Sequence, residues 1–460
     1  MTLVPPMVAR RVGAARQLHG ELRLPSDKSI AHRALLFNAM AAGSADVLVR
    51  RPGADVRSTA GALHALGALE GVDELEGGAT RFRVRGGGTD AAAGLPGTGG
   101  ETIDCGNSGT TVRFLTGALA GRGAAAMTTL TGDESLSRRP MERVAAPLRQ
   151  MGASVQTSDG RLPIHVLGRR RLTATIHRLP VASAQVLGAI SLAALSAGGR
   201  TTIETPGPTR DHTERLLAWL GAPIERVGMT TTIDGPAVLT ARSCDVPGDL
   251  SSAAAWLVAA SVHPDAEIRL RDVGLNPSRL AVVDVLREMG ADIDQEPGGT
   301  DRGPEPTGDL LVRSVGGLRA IVLSGARIAE LIDELPLLAI AMAAATGTSE
   351  VRDAAELRVK ESDRVALVVR NLRAVGVEAE ELPDGWRIEG LGGAAHARAH
   401  ARSSEPIEIE TNGDHRIAIS FAVAALTGLV PDVAIDDPAC VDVSYAGFWS
   451  DLDSLTGSAS

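Results

Sequence analysis

Lys28, Ser29, His32 and Arg33 fall about one helical turn apart in Leu24-Pro25-Ser26-Asp27-Lys28-Ser29-Ile30-Ala31-His32-Arg33, so several can share one rim. Lysine supplies a point charge there, and arginine a planar fork suited to phosphate or carboxylate. Similar polar openings recur. Asp104-Cys105-Gly106-Asn107-Ser108-Gly109-Thr110-Thr111-Val112-Arg113 has small residues that let backbone N–H groups approach a ligand. In Leu357-Arg358-Val359-Lys360-Glu361-Ser362-Asp363-Arg364, Lys360 and Arg364 lie four apart, which is one face if the segment is helical, and Glu361 brings a carboxylate beside them. Asn412-Gly413-Asp414-His415-Arg416-Ile417-Ala418-Ile419 opens an apolar run with a His-Arg pair, and Asp414 reads as an N-cap. Arg138-Arg139-Pro140, Ser183-Ala184-Gln185 and Arg210-Asp211-His212 complete the set. Each has a bland reading as a solvated helix end, a turn or a surface charge run. Taken together they point to anions, because cations at a helix N-terminus oppose the dipole and a bound anion would favour them.

The elements that position these residues repeat. Six polar openings, at Asp27, Asn107, Ser183, Asp249, Asp333 and Asp414, each lead into an apolar helical pattern. A second helical pattern follows each one and ends near Gly67, Gly152, Gly221, Gly290, Gly376 and Gly457, at offsets of 40, 45, 38, 41, 43 and 43 residues. Short β-branched runs such as Thr201-Thr202-Ile203-Glu204 alternate with the helices, so the class is α/β. Three units precede the Cys244–Gly248 region and three follow it. Gly86–Gly100, Glu296–Gly308 and Leu391–Ser404 read as surface loops, including the His396 to Arg402 stretch, and Gly457 to Ser460 as a tail.

Composition narrows the chemistry. The 460 residues carry 46 basic and 56 acidic side chains, a net charge of −10 that disfavours a general polyanion surface. Aromatics make up 2%, too few for a reader that stacks bases. Cys105, Cys244 and Cys440 are scattered and form no metal motif. No Walker loop, dinucleotide fingerprint, HExxH or nucleophile elbow is present, so covalent, zinc and dinucleotide chemistries lack support. The first 20 residues do not read as a signal peptide, and no membrane helix is expected, so the cytoplasm is the expected compartment.

In this order, PSDKSIAHR, DCGNSGTTVR, SRRPM, ASAQV, TRDHTE, LRVKESDR and NGDHRIAI resemble the 5-enolpyruvylshikimate-3-phosphate synthase family, over about Leu22 to Phe448. The resemblance implies an α/β fold of two similar domains, each of three repeated four-stranded α/β units (an inside-out α/β barrel), six repeats in all. It places the domains at 27–246 and at 1–26 with 247–460, with the active site in the cleft between them. It implies transfer of the enolpyruvyl group of phosphoenolpyruvate to the 5-hydroxyl of shikimate 3-phosphate, on the way to chorismate and the aromatic amino acids. These two small molecules are the implied partners of a monomer, with no nucleic acid, membrane, metal or cofactor, and the family is the target of glyphosate.

Matching positions imply roles. Lys28 corresponds to the lysine between both substrates. Ser29, Arg33, Ser183, Gln185, Arg210, Asp333 and Lys360 correspond to contacts with shikimate 3-phosphate. Gly109, Arg139, Arg364 and Arg416 correspond to contacts with phosphoenolpyruvate, with Gln185 bridging. Asp333 corresponds to the carboxylate on the acceptor hydroxyl, Glu361 to the acid near the methylene carbon, and His415 to a histidine beside them. Attack on the enol carbon needs the methylene protonated and the hydroxyl deprotonated, work for a carboxylate pair in separate environments, with Lys28 as a further proton carrier. Arg and Lys can supply the electrostatic stabilisation. Three positions depart from the common pattern: Val443 stands where many members have lysine, Glu356 where many have asparagine, and Ala184 where one branch has serine. The rival readings are the sister transferase acting on UDP-N-acetylglucosamine, which should carry a reactive loop cysteine, and a non-catalytic shikimate 3-phosphate binder of the same fold.

Overall fold

The computed structural model describes residues 9–89, 93–169, 171–299, 302–393 and 405–457. His396 to Arg402 and the last three residues of the expected tail lie outside them. In chain order the repeats supply six helix pairs. They are α1 (Lys28–Met40) and α2 (Ala54–Ala65), α3 (Gly109–Ala120) and α4 (Glu142–Gln150), α5 (Ala184–Ala194) and α6 (His212–Trp219), α7 (Leu250–Val262) and α8 (Ala281–Met289), α9 (Leu335–Ala344) and α10 (Arg364–Ala374), and α11 (His415–Leu426) and α12 (Phe448–Thr456).

The two members of a pair differ in composition and therefore in place. The first is buried on nearly every side and mostly apolar, as an interior helix is. Every residue of α7 and α9 is buried, and α1 is buried from Ile30 onward. The second is two-faced: α8 buries Val282, Val283, Val285, Leu286 and Met289 and exposes Asp284, Arg287 and Glu288. All six second helices end against a glycine in the left-handed region, with φ of 74° at Gly67, 89° at Gly152, 98° at Gly221, 104° at Gly290, 89° at Gly376 and 67° at Gly457. That conformation is the usual helix stop, and only glycine adopts it freely.

Five of the first helices begin with a side-chain cap. Asp27, Ser108, Ser183, Asp249 and Asp414 each accept a hydrogen bond from a first-turn N–H. The fifth repeat differs from the sequence expectation. Glu334, not Asp333, holds the N-cap position of α9 and makes no side-chain cap bond. Pro336 in the first turn lacks an N–H, which leaves fewer donors to cap.

The strands form small sheets with one recurring order. Ser44–Arg50 pairs in parallel with Cys244–Asp245 on one side and antiparallel with Ala79–Arg85 on the other, which pairs in turn with Leu69–Glu74. The same pattern recurs around Thr128–Thr131, Ala197–Glu204, Ala266–Gly274 and Thr348–Val351. The sixth sheet, built from Arg10–Val12, Val433–Ile435 and Ile407–Ile409, has three strands among the described residues.

The chain divides into two compact units. The first comprises Ser26–Pro247 with Gly299–Pro306, and the second Met1–Pro25, Gly248–Gly298 and Thr307–Ser460. The core of the first is built on α1, α3 and α5, and that of the second on α7, α9 and α11. The excursion 299–306 was expected within the second domain. Two of the expected surface loops are tighter than that description. A Cβ on Gly86 would lie 1.9 Å from the Ala41 carbonyl oxygen, and one on Gly88 2.4 Å from that of Met40, so these glycines allow the chain to press against the end of α1. Glu305, in the other loop, is buried.

Gly376 isolates the backbone contribution of these helix stops, because a Cβ there would meet nothing within 4 Å. Gly376→Ala should therefore destabilise by about 1–2 kcal/mol, the cost of a left-handed L-residue. A urea midpoint equal to that of the parent protein would contradict this.

Candidate active site

In the first unit the starts of α1, α3 and α5 are joined by polar side chains. Gln185, in the first turn of α5, donates through Nε2 to Thr110 Oγ1 at 2.9 Å and accepts through Oε1 from Arg113 Nη1 at 2.6 Å. Ser183 caps α5 directly beside it. Burial, helped by the Arg143 and Arg139 charges, lowers the Arg113 guanidinium to about 9. Gly109 opens α3, and a Cβ there would lie 2.7 Å from Arg113 Nη1 and 3.3 Å from Arg139 Nη1. Arg139 reaches the same turn and donates to Asn107 Oδ1 at 2.5 Å. Two arginines thus crowd the first residue of α3, an arrangement that like charges oppose and a bound anion would favour.

On α1, Lys28 occupies the first helical position and donates through Nζ to Asp55 of α2 at 3.0 Å. Burial opposes ionisation of Asp55, but the Lys28 and His32 charges and the Lys28 hydrogen bond outweigh it and hold the carboxyl below its ordinary value. Ser29 follows, half-buried, and its carbonyl accepts from Arg33 Nη1 at 2.8 Å. Arg33 is buried; it donates to Thr213 Oγ1 at 2.9 Å and lies over the Phe114 ring at 4.8 Å. Burial lowers it to about 10, Glu214, Asp27 and Glu305 oppose that, and Arg210 adds to it. Arg210 precedes α6 and is half-buried. Beneath this surface His32, pushed down to about 3 by burial, shares a hydrogen bond with Thr59 at 2.6 Å. Thr59 pairs with Thr111 at 2.6 Å, and Thr111 donates to the cap Ser108 at 2.7 Å.

In the second unit a buried arginine gathers the acids. Arg364 begins α10 with its side chain only 2% exposed. It donates to Asp414 at 2.8 Å and to Glu361 at 2.7 Å, and its Nη1 lies 3.8 Å from Asp333. Burial alone would lower the Arg364 pKa, but the Asp414, Glu361 and Asp333 charges raise it instead. Asp414 also accepts from Ser362 at 2.8 Å and from the Arg416 N–H at 2.9 Å, and Arg364 holds it below the ordinary aspartate range against its burial. His415 is buried in the first turn of α11. Arg416 beside it lines a small cavity where the starts of α7, α9 and α11 meet, with Asp249, Ser251, Leu337, Ile419 and Tyr445.

One expected geometry does not form. Lys360 and Arg364 do not share a helix face: Lys360 follows the 3-10 turn Ala355–Val359, and the chain bends at Glu361–Asp363 before α10. Lys360 instead donates to Glu356 at 2.6 Å, the residue that stands where many members of the family have asparagine. Arg364 is also closed in by carboxylates, because a guanidinium so deeply buried must be paired. The groups the sequence reading missed are Arg113, Asp55 and Asp414 as a partner of Arg364. Arg113 could have been found as the cation one turn beyond Gly109 on the same helix.

The EPSP synthase (3-phosphoshikimate 1-carboxyvinyltransferase) family matches residues 12–452. The chain belongs to this family. The 3-phosphoshikimate 1-carboxyvinyltransferase of Gloeobacter violaceus is 46% identical over 95% of this chain and 96% of that protein. The one from Bacillus licheniformis is 41% identical over 97% and 99%. A solved EPSP synthase from Acinetobacter baumannii has a TM-score of 0.83 at 35% identity, covering 96% of this chain and 97% of its own. The enolpyruvyl transferase NikO from Streptomyces tendae shares the fold, with a TM-score of 0.71 at 19% identity. Cys105, Cys244 and Cys440 are free and buried, and burial pushes each thiol up to about 12. Among the described residues no group of three or more His, Cys, Asp or Glu is placed to hold a metal ion, and no helix is long and apolar enough to cross a membrane.

Asp414→Asn leaves Arg364 with a buried, under-paired charge and should cost about 3–5 kcal/mol at neutral pH. Because the folded carboxyl is depressed, its contribution is complete above the ordinary value of 3.8 and is lost as pH falls through the lower folded value. The variant's stability should therefore fall less steeply in acid than the parent's. Equal urea midpoints at neutral pH would contradict the pairing.

Proposed function

We propose that the chain carries out the reaction for which its relatives are named: transfer of the enolpyruvyl group of phosphoenolpyruvate to the 5-hydroxyl of shikimate 3-phosphate, with release of phosphate. The observation that carries this reading is the gathering of Arg113, Arg139 and Gln185 around the starts of α3 and α5, built for anions and set within a family match along nearly the whole chain. Each substrate brings a carboxylate and a phosphate. Lys28, Ser29, Arg33, Ser183, Gln185, Arg210 and Lys360 take shikimate 3-phosphate, and Gly109, Arg139, Gln185, Arg364 and Arg416 take phosphoenolpyruvate, with Lys28 between the two.

The chemistry is an addition followed by an elimination. The acceptor oxygen bonds to the enol carbon and loses its proton, while the methylene carbon gains one and becomes a methyl group. The carbon–oxygen bond to phosphate then breaks, and the methyl returns a proton to restore the double bond. Asp333 takes the hydroxyl proton, and Glu361 delivers and recovers the proton at the methylene carbon, with His415 beside them. Arg364 orients both acids, through the bond to Glu361 and the 3.8 Å approach to Asp333. Lys28, steadied by Asp55, neutralises charge that develops on the leaving phosphate. The protein works as a cytoplasmic monomer in this reading.

Phosphate release from phosphoenolpyruvate, followed with and without shikimate 3-phosphate in the presence of a chelator, tests the function. Release should require the acceptor; release that ignores it, or that needs added metal, would overturn the reading. Lys28→Ala, Asp333→Ala and Arg416→Ala should each lower turnover by at least about 10²-fold, the scale of a lost proton-transfer or transition-state contact. Glyphosate should compete with phosphoenolpyruvate. Gly109→Ala should weaken that inhibition more than it weakens phosphoenolpyruvate binding, because the new methyl displaces Arg113, which Gln185 holds, in a close-packed wall. Inhibition constants unchanged by Gly109→Ala would contradict this.

A further inference from the structure

Residues 299–306 leave the second unit between the paired strands Asp292–Pro297 and Thr307–Arg313 and fold with the first. A segment that only turned a hairpin would be short and polar. This one is anchored. The Arg302 carbonyl accepts from the Asp245 N–H at 3.0 Å, and a Cβ on Gly303 would lie 3.6 Å from that of Cys244. The anchoring delivers one carboxylate to the interior. Glu305 Oε1 lies 2.8 Å from His212 Nδ1, and both side chains are 2% exposed. A buried carboxylate is costly unless something requires it.

What surrounds the pair is the anion-binding corner of the first unit. His212 opens α6, two residues after Arg210 and directly before Thr213, whose hydroxyl holds Arg33. Glu305 is also one of three carboxylates, with Glu214 and Asp27, whose charge favours the buried Arg33 guanidinium. Glu214 is engaged by Arg226 and Thr231, and Asp27 caps α1. Glu305 is the one brought in by the segment that crosses from the other part of the chain.

We infer that Glu305 is a positioning residue for the shikimate 3-phosphate site: through His212 it fixes the start of α6, and with it Arg210 and the Thr213 hydroxyl that aims Arg33. This rests on the proposed function, and on Arg33 and Arg210 as contacts to the phosphorylated acceptor. It makes affinity for one substrate depend on a residue outside the ligand's reach. The effect falls on the acceptor, because the phosphoenolpyruvate residues of this unit, Lys28, Gly109, Gln185 and Arg139, lie on α1, α3, α5 and just before α4, and none is on α6.

Steady-state kinetics of Glu305→Ala and Glu305→Gln, with each substrate varied in turn, tests the inference. Glu305→Ala should raise KM for shikimate 3-phosphate by about 10-fold, the scale of one hydrogen bond to a charged group, with KM for phosphoenolpyruvate changed by less than about twofold. Glu305→Gln keeps the volume and an acceptor for His212 while removing the charge, so it should show a smaller shift in the same direction. If the alanine variant does not fold, the glutamine variant carries the comparison. A merely structural role would lower the active fraction and hence the apparent kcat, leaving both KM values in place; that result, or equal shifts in both KM values, would overturn the inference. Direct titration of the parent protein with shikimate 3-phosphate separates the two claims. A parent that does not bind it overturns the proposed function, whereas a parent and Glu305→Gln that bind it equally overturn only the role of Glu305.

Discussion

Burial of six helices on all sides is the constraint from which the rest follows. A helix with no solvent-facing side can expose polar groups only at its ends, and its N-terminal end carries unpaired N–H groups and the positive end of the dipole. Most of the polar groups on these helices therefore lie in the first two turns, Arg33 and Arg113 among them. In each unit three such ends approach one another, linked by Gln185, Arg113 and Thr59 in the first and by the Ser251–Glu334 contact and the shared cavity at Arg416 in the second. Lys28, Ser29, Gly109, Gln185, His415 and Arg416 are first-turn residues of these helices, and their placement is a consequence of packing.

Charge is managed differently in the two units. Arg113 and Arg33 in the first are buried, and burial lowers both, with Glu214, Asp27 and Glu305 opposing it at Arg33. Arg364 in the second is already matched by Asp414, Glu361 and Asp333. Its charge is therefore balanced within the protein before any ligand arrives.

Much of this was legible in the sequence, because it is written in local chemistry. Caps at Asp27, Ser108, Ser183, Asp249 and Asp414 need a short polar side chain, and stops at the six glycines need positive φ; both are properties of single residues. What escaped the sequence depends on partners distant in the chain. The start of α9 shifted by one residue because Glu334 is engaged by Ser251 and Arg279. Lys360 and Arg364 were separated by a bend that their spacing does not encode. Glu305 lies in a Pro- and Gly-rich stretch that reads as surface, and only the return of residues 299–306 to the first unit buries it.

The central claim is that helix starts hold the anions. A crystal structure of the protein with shikimate 3-phosphate bound tests it most directly. The account predicts phosphate oxygens within about 3 Å of the first-turn groups of α5, Ser183 and Gln185 among them. A phosphate seated away from the starts of α1, α3 and α5, on a sheet edge or on the exposed face of a second helix, would contradict it.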